Sequence, residues 1–495
     1  MLRRILLGLA LLLIVAAGAV YWFFSGDGIR IALEQQASAY LGQPVSIGSA
    51  RGRLFPRIGV RLADVQVGKP VRLSLTEIEV STGLRALLSR RVEEGQVVVS
   101  NSRIHLPLTF TLPMSQGKAA TPTSPTFTVE SIREIALRDV LVTSRGRQIL
   151  VSADSSLNGS RLTIERFTAR SGKTAVEASG IADFQPALTA KVQANANQLD
   201  LDDLLALADA FTPERPARQR SGTLVPGYLQ AKITAARGSA AGVELGRIVA
   251  TLTVSGNNVT LSPATFELFG GGYQGSMQAD LDATRMAVSL NARVNELDVA
   301  RLAAFGGVKD TITGRLSGNG RFTGRGADLA SVLASAAGSG GATINNGTIK
   351  GLDLVRTVVL YFGRPASDAP AANGQRFERI AATFSLANQV ITSESLTMSS
   401  RDLDVAAKGT LAIPTKALAG RATLMLSEEL SAQAGTDLVR FTREGKRVVL
   451  PAILSGTLDS PRASIDASAA IQRGLQNEMQ RRLKGLFDKI KPPPQ

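Results

Sequence analysis

The stretch MAVSLNARV, Met286 to Val294, sets Met286, Val288, Leu290, Ala292 and Val294 at every second position, with Ala287, Ser289, Asn291 and Arg293 mostly polar between them. A period of two belongs to a β-strand with one apolar and one polar face. Working outward, the same period recurs at Tyr273, Gly275, Met277, Ala279 and Leu281, at Ile248, Ala250, Leu252 and Val254, and at Leu229, Ala231, Ile233 and Ala235. It continues upstream at Leu188, Ala190, Val192 and Ala194, at Val71, Leu73 and Leu75, and at Ile58, Val60 and Leu62. Downstream it returns at Ile380, Ala382, Phe384 and Leu386 and at Ala422, Leu424 and Leu426. Turn signals punctuate these runs, among them Gly256-Asn257, Asn346-Gly347 and Gly270-Gly271-Gly272, and they predict meandering antiparallel pairing.

Helical signals are short and few. Gly28 to Leu41 places Ile29, Leu33, Ala37, Tyr40 and Leu41 on one stripe, and Gly42 followed by Pro44 stops it. Further helices are expected over Leu84 to Ser89, Asp200 to Ala210, Asp298 to Phe305, Leu329 to Ala337 and Asp353 to about Tyr361, too few to cover so much sheet. Asn197-Gln198-Leu199-Asp200 and Asn295-Glu296-Leu297-Asp298 lie 98 residues apart, each after an alternating strand and before a helix. In both copies the Asp is placed to cap the helix by accepting from first-turn amides. Pro113 to Thr126, Thr212 to Gly222 and Gly363 to Gln375 have loop composition and mark insertions or module joints.

Ile5 to Phe24 runs for 20 residues without a charge, enough to cross about 30 Å of hydrocarbon as a helix. Arg3 and Arg4 before it keep the N-terminus cytoplasmic by the positive-inside rule, and Tyr21 and Trp22 stand where an interfacial aromatic belt would be. A cleaved signal peptide is the alternative, because Ala17-Gly18-Ala19 has the small-residue form of a processing site. The apolar run continues past Ala19, which favours an anchor. Either outcome puts the body outside the cytoplasm.

Composition narrows the function classes. There is no cysteine, which removes disulfides, thiolate metal sites and cysteine nucleophiles. The single histidine, His105, is expected to be a strand residue, and histidine triads or two-histidine metal sites cannot be built from it alone. No acid/base cluster can be assembled, so the chain is expected to be non-enzymatic and to need no cofactor or metal. The net charge of +15 points to an anionic partner, nucleic acid or acidic lipid. Arg and Lys are scattered, aromatics make up 5%, and no nucleic-acid motif is present, so acidic lipid is the expected partner and nucleic acid is not.

The chain resembles the AsmA-like family of bacterial envelope proteins. One resembling block is Leu33-Glu34-Gln35-Gln36 to Gly42-Gln43-Pro44-Val45-Ser46-Ile47-Gly48, with Gly52 to Val60 and Leu62-Ala63-Asp64-Val65. A second is Phe266-Glu267-Leu268-Phe269-Gly270-Gly271 with Tyr273-Gln274-Gly275, and a third is Ile344-Asn345-Asn346-Gly347-Thr348-Ile349-Lys350-Gly351-Leu352-Asp353-Leu354. The resemblance implies a single-pass inner-membrane protein with its body in the periplasm, a chorein-like start and a long curled sheet. It places the chain in a class of β-groove proteins linked to phospholipid transport and outer-membrane biogenesis, and it carries no catalytic residues.

The expected fold is therefore mainly β with short helices, an N-terminal transmembrane helix followed by a long curled antiparallel sheet shaped as a groove or gutter. Residues 1–27 are the anchor, 28–112 an AsmA/chorein-like helix-plus-sheet module, 113–126 a linker and 127–211 a β repeat module. A loop at 212–222 leads to a C-terminal β region over 223–468. Residues 469–495 form a basic amphipathic helix with a Pro tail. In that helix Ile471, Leu475, Met479, Leu483, Leu486, Phe487 and Ile490 form a stripe opposite Arg473, Arg481, Lys484 and Lys491. It suits an anionic membrane surface, a partner groove or the end of the sheet, with simple capping of the sheet the plainer expectation.

A diacyl phospholipid with some thirty methylenes costs on the order of 25 kcal/mol to expose to water. A continuous apolar groove removes that cost. The candidate lining residues are Ile58, Val60, Leu62, Leu229, Ile233, Leu252, Val254, Val288, Leu290, Phe384, Leu386 and Leu424, each of which would equally suit a closed sandwich core. The expected function is binding or conducting phospholipid. The alternative is a scaffold or assembly factor that influences outer-membrane protein insertion. Expected partners are the inner membrane and phospholipid, with outer-membrane or periplasmic proteins under the second alternative.

Overall fold

The computed structural model describes residues 27–53, 57–83, 91–106, 128–144, 146–201, 203, 225–240, 242–281, 285–308, 311–355, 357–358, 374–433 and 442–490. The Ile5 to Phe24 segment, with Arg3, Arg4, Tyr21 and Trp22, and the expected helix Leu84 to Ser89 lie outside these residues. Among the described residues no helix is long and apolar enough to cross a membrane. The chain divides into two compact units, Met1–Ser262 and Pro263–Gln495, so the division falls within the 223–468 region.

The first unit opens with α1 (Asp27–Leu41), which ends where Gly42 takes a φ of 63°. Leu33, Ala37 and Leu41 pack on Val45, Ile47, Val65 and Val67. Backbone N–H groups of Val45 and Ile47 donate to Ser38 Oγ at 2.9 Å and Glu34 Oε1 at 2.7 Å, tying helix to strand. β1 (Val45–Arg53), β2 (Ile58–Val67) and β3 (Leu73–Thr82) form an antiparallel meander. β3 continues it onto β5 (Gly95–Ser100) and β6 (Arg103–His105).

β8 (Ser131–Ser144) then pairs with β5 and β6 in parallel, while β4 (Arg91–Val92) and β7 (Thr128–Val129) form a small parallel pair. β9 (Arg147–Asn158), β10 (Arg161–Ser171), β11 (Thr174–Asp183) and β12 (Leu188–Asp200) follow antiparallel. β13 (Val225–Ala240) lies parallel to β12, and β14 (Val243–Gly256) returns antiparallel. Parallel neighbours cannot be joined by a hairpin and need a connection of a dozen or more residues. The breaks before β8 and before β13 fall where the sequence has its 113–126 and 212–222 stretches, both outside the described residues. β15 (Asn258–Leu268) contains the division between units.

The described strand pairings of the second unit are antiparallel. β16 (Gly271–Leu281) pairs with β17 (Met286–Asp298), followed by α2 (Val299–Phe305), β18 (Arg315–Gly326), α3 (Leu329–Ala334) and β19 (Ala337–Ile349). β20 (Gln375–Ala387), β21 (Val390–Ser399), β22 (Leu403–Ala412) and β23 (Ala417–Leu426) extend the ladder. After α4 (Glu428–Gln433) and β24 (Arg443–Glu444), β25 (Arg447–Thr457) joins β23, β26 (Ser460–Ile465) joins β25, and α5 (Ala467–Ile490) follows. The largest core encloses Leu403, Val405, Leu424, Val448 and Leu450, with Leu354 and Val358 packed into it.

Asp298 caps α2, while the expected helix Asp200 to Ala210 lies mostly outside the described residues. Asp298 Oδ1 accepts from the Ala300 and Arg301 N–H groups at 3.0 and 3.2 Å, and Asp200 Oδ1 accepts from the Asp203 N–H at 3.3 Å. α3 is shorter than the expected Leu329 to Ala337 because Ala337 already begins β19. His105 is an exposed residue of β6 whose N–H donates to the Arg72 carbonyl at 2.7 Å.

Candidate functional site

Directly paired residues in a ladder point to the same face, so the register shows what each face collects. In the first unit one line of partners runs Leu62, Ile78, Val99, Leu137, Ala153, Phe167, Ala178, Ala194, Ile233, Ala250. The next runs Val60, Val80, Val97, Ile135, Ser155, Ile164, Gly180, Val192, Ala231, Leu252. Both rows cross the strands of the sheet, and apart from Ser155 every side chain in them is apolar or absent. Among the large apolar members none is fully enclosed, and Val80 is exposed.

The flanking rows are drier. On one side Val140, Val151, Ala169, Val176 and Ala235 are buried, and on the other Ala182, Ala190 and Val254 are. These too are linked by register, Val140 through Val151, Ala169, Val176 and Ala196 to Ala235, and Leu162 through Ala182, Ala190 and Leu229 to Val254. A closed sandwich has its driest residues at the centre of the inner face and its wettest at the rim. Here the order is reversed, as it is for a trough with closed edges and an open middle.

Beyond the first of these rims a polar cluster ties strand ends together. The buried carboxylate of Asp203 pairs with Arg147 and accepts from the Thr174 hydroxyl and from Ser171 Oγ at 3.1 Å. Thr174 Oγ1 in turn accepts from the Asp200 N–H at 3.0 Å, and Ser239 Oγ donates to Asp200 Oδ2 at 2.7 Å. All its charges and hydroxyls are engaged with each other, which is the pattern of a structural pin.

In the second unit a corresponding row runs Met277, Leu290, Phe322, Gly338, Leu386, Ile391, Leu411, Leu418, half-buried throughout. Beside it lie Gly275, Ala292, Gly320, Gly340 and Phe384. A Cβ on Gly320 would stand 2.6 Å from Phe322 Cε2, and one on Gly340 2.8 Å from Phe384 Cζ. The two rings therefore lie on a glycine floor, stacked with centroids 6.4 Å apart and 21° between planes. Tyr273 covers Gly275 in the same way and stacks on Phe266 at 4.4 Å, and burial pushes its hydroxyl pKa up.

Of the candidate lining residues, Val60, Leu62, Ile233, Leu252, Leu290 and Leu386 fall in the half-exposed rows. Ile58 is half-buried at the end of the Val60 row's strand, while Leu229 and Val254 are paired on a rim. Val288 faces Gly324 next to α3, and Phe384 lies over Gly340. Leu424 is 0% exposed within the closed core, so it is a core residue and not a trough lining. Period-two alternation also missed lining positions, including Ile135, Ile164, Phe167, Phe322, Ile391 and Leu411.

The opposite, polar face carries two shallow hollows of about 620 Å³ each, one within each unit. In the first unit Glu177, Asn195, Thr234 and Val249 line it along one register row with Arg170 and Arg247 beside them, and in the second Arg293, Asn319, Gly341, Thr383 and Ser395 do. They present hydroxyls, amides and arginines among small aliphatic side chains such as Ala175, Ala236 and Ala381.

No curated protein and no solved structure matches the chain. The AsmA family model matches residues 129–396, which takes in the Phe266 and Ile344 blocks and leaves the Leu33 block before it. That match spans more than half of the sequence and covers β8 through the Leu396 position of β21, the strands that carry most of both half-exposed rows, and on it the chain belongs to the AsmA family.

Proposed function

We propose that the protein is a non-enzymatic envelope protein, held in the inner membrane by Ile5 to Phe24 with its body in the periplasm, which binds or conducts phospholipid along the half-exposed apolar rows. The observation that carries this is the reversed burial order, with Phe167, Val192 and Ile233 half-open between the rim rows that hold Ala169, Ala190 and Ala235. Exposed aliphatic surface of this extent is unfavourable in water at about 25 cal/mol per Å² and is relieved by acyl chains. Each methylene laid on such a row recovers up to about 0.8 kcal/mol. Small side chains, Ala153, Ala178, Ala194 and Gly180, leave room for a chain to lie across them. Membership of the AsmA family and a long antiparallel sheet both fit a lipid-related role in envelope biogenesis.

Photocrosslinkable side chains at Ile233 and Leu290 test the proposal. Phospholipid adducts at both, together with lipid co-purifying with the body, are the expected result. Absence of adducts and of bound lipid would overturn the conduit and leave a scaffold acting through protein contacts.

A further inference from the structure

The last helix turns its apolar side away from the protein. In α5, Ile471 is 66% exposed, Leu475 65%, Met479 63% and Leu483 50%. These residues recur every fourth position, so they form one stripe along the helix. The side that meets the body is different. Arg473, about 160° around the helix from Leu475, pairs through Nη2 with Glu444 Oε1 of β24 at 2.6 Å, and Gly474 next to it is buried. Asp466 caps the helix, its Oδ1 accepting from the Ala469 N–H at 3.1 Å. Ile471, Leu475, Met479 and Leu483 therefore do not cap the sheet, the plainer expectation from sequence, while the side chains of Leu486, Phe487 and Ile490 lie outside the described residues.

We propose that this stripe is a docking surface for an anionic phospholipid bilayer, with α5 lying in the interface. Charge selects that occupant. From Ala467 to the last residue the sequence has Arg473, Arg481, Arg482, Lys484, Lys489 and Lys491 against Glu478 and Asp488, within a chain of net charge +15. An apolar stripe beside basic residues on a helix of low overall hydrophobicity binds in the plane of an acidic membrane and does not cross it. α5 is not apolar enough to span. At 24 residues it would extend about 36 Å along such a surface. The inference stands on α5 alone and does not depend on lipid in the trough.

The absence of cysteine makes a single introduced thiol a unique label. The full chain, Leu483→Cys carrying an environment-sensitive fluorophore, is held in phosphatidylcholine nanodiscs and titrated with vesicles of phosphatidylglycerol mixed with phosphatidylcholine. A blue shift is expected, with about ten-fold weaker partition to vesicles of phosphatidylcholine alone and weakening at high salt. Leu475→Glu with Met479→Glu should abolish it while circular dichroism and crosslinking at Ile233 stay unchanged, since both side chains already face solvent. Three results would overturn the proposal: no shift with either vesicle, an equal shift with both, or a shift that grows with protein concentration without vesicles, which would assign the stripe to a second copy.

Discussion

Leu290 and Leu424 belong to the same unit, stand on the same kind of alternating strand and have the same side chain, yet one is half-exposed and the other is sealed. The difference lies in what covers them. Around Leu424 the sheet face meets Leu354 and Val358, and β25 adds Val448 and Leu450, leaving 0% exposure at Leu424 and Leu450. Along Met277, Leu290, Phe322 and Leu386 no residue of the row reaches full burial. Alternation makes an apolar face in both places, and only the second layer decides whether that face is a core or a trough.

The largest effects should separate these regions. Leu424→Asp buries an ion with no partner, so loss of more than about 4 kcal/mol and unfolding of the second unit are expected in thermal or urea denaturation. Leu290→Asp and Ile233→Asp leave the carboxylate access to water and should cost only about 1–2 kcal/mol while removing bound lipid. Equal destabilisation at all three sites would erase the distinction between trough and core.

A smaller effect tests the closed edge of the first unit. Asp203→Ala leaves Arg147, Ser171 and Thr174 without their shared acceptor. A loss of about 2–3 kcal/mol is expected. Hydrogen exchange should rise first at the ends of β10 and β11, and a variant that exchanges uniformly would show that the cluster is not a local pin.

Much of the sheet could be read from the period of two, and the failures have specific causes. Where a strand carries a bulge, two polar residues fall together and the apolar set changes parity. Ile164 and Phe167 are separated by the exposed pair Glu165 and Arg166, Ser393 and Leu396 by Glu394 and Ser395, and Val294 and Leu297 by Asn295 and Glu296. Such offsets break a simple alternation while keeping both halves on one face. In β18 and β19 the apolar face is built from Gly318, Gly320, Gly338 and Gly340, which carry no signal of hydrophobicity. The parallel joints were visible only as long polar stretches, because composition marks a connection without stating the direction of the strand that follows. The trough residues were legible as apolar strand positions, whereas their half-exposed state depends on packing that no local pattern encodes.

The glycine floor supplies a further comparison within the trough. Gly340→Ala would push β19 from β18 and force the Phe384 ring from its place, since the added carbon would stand 2.5 Å from the Asn319 carbonyl oxygen and 2.8 Å from Phe384 Cζ. A cost of about 1–2 kcal/mol is expected, with a change in the aromatic circular dichroism and in crosslinking at Leu290. Gly341→Ala, one residue along and on the other face, has its nearest contact at 3.8 Å and should do neither.

The smallest effect concerns α3, the short helix that closes the trough where Val332 packs against Gly324 and Gly326. Asp328 caps it, accepting from Ser331 Oγ at 2.6 Å and from the Ser331 N–H at 2.7 Å, and these donors hold its carboxyl below the usual range. A carboxylate whose pKa is depressed in the fold contributes fully above its unfolded value, about 4, and loses that contribution as pH falls through the lower folded value. Asp328→Asn keeps an acceptor without the charge, so the parent and this variant should differ in protection of the α3 amides at neutral pH and converge as the solution is acidified through the depressed folded value. Leu329 and Leu333 already face solvent, so loosening α3 should free Val332 alone and widen the open rows without unfolding the closed core around Leu424. If acid instead weakened protection around Leu424 and α3 together, the rim and the core would be one cooperative unit, and the distinction drawn between them would fail.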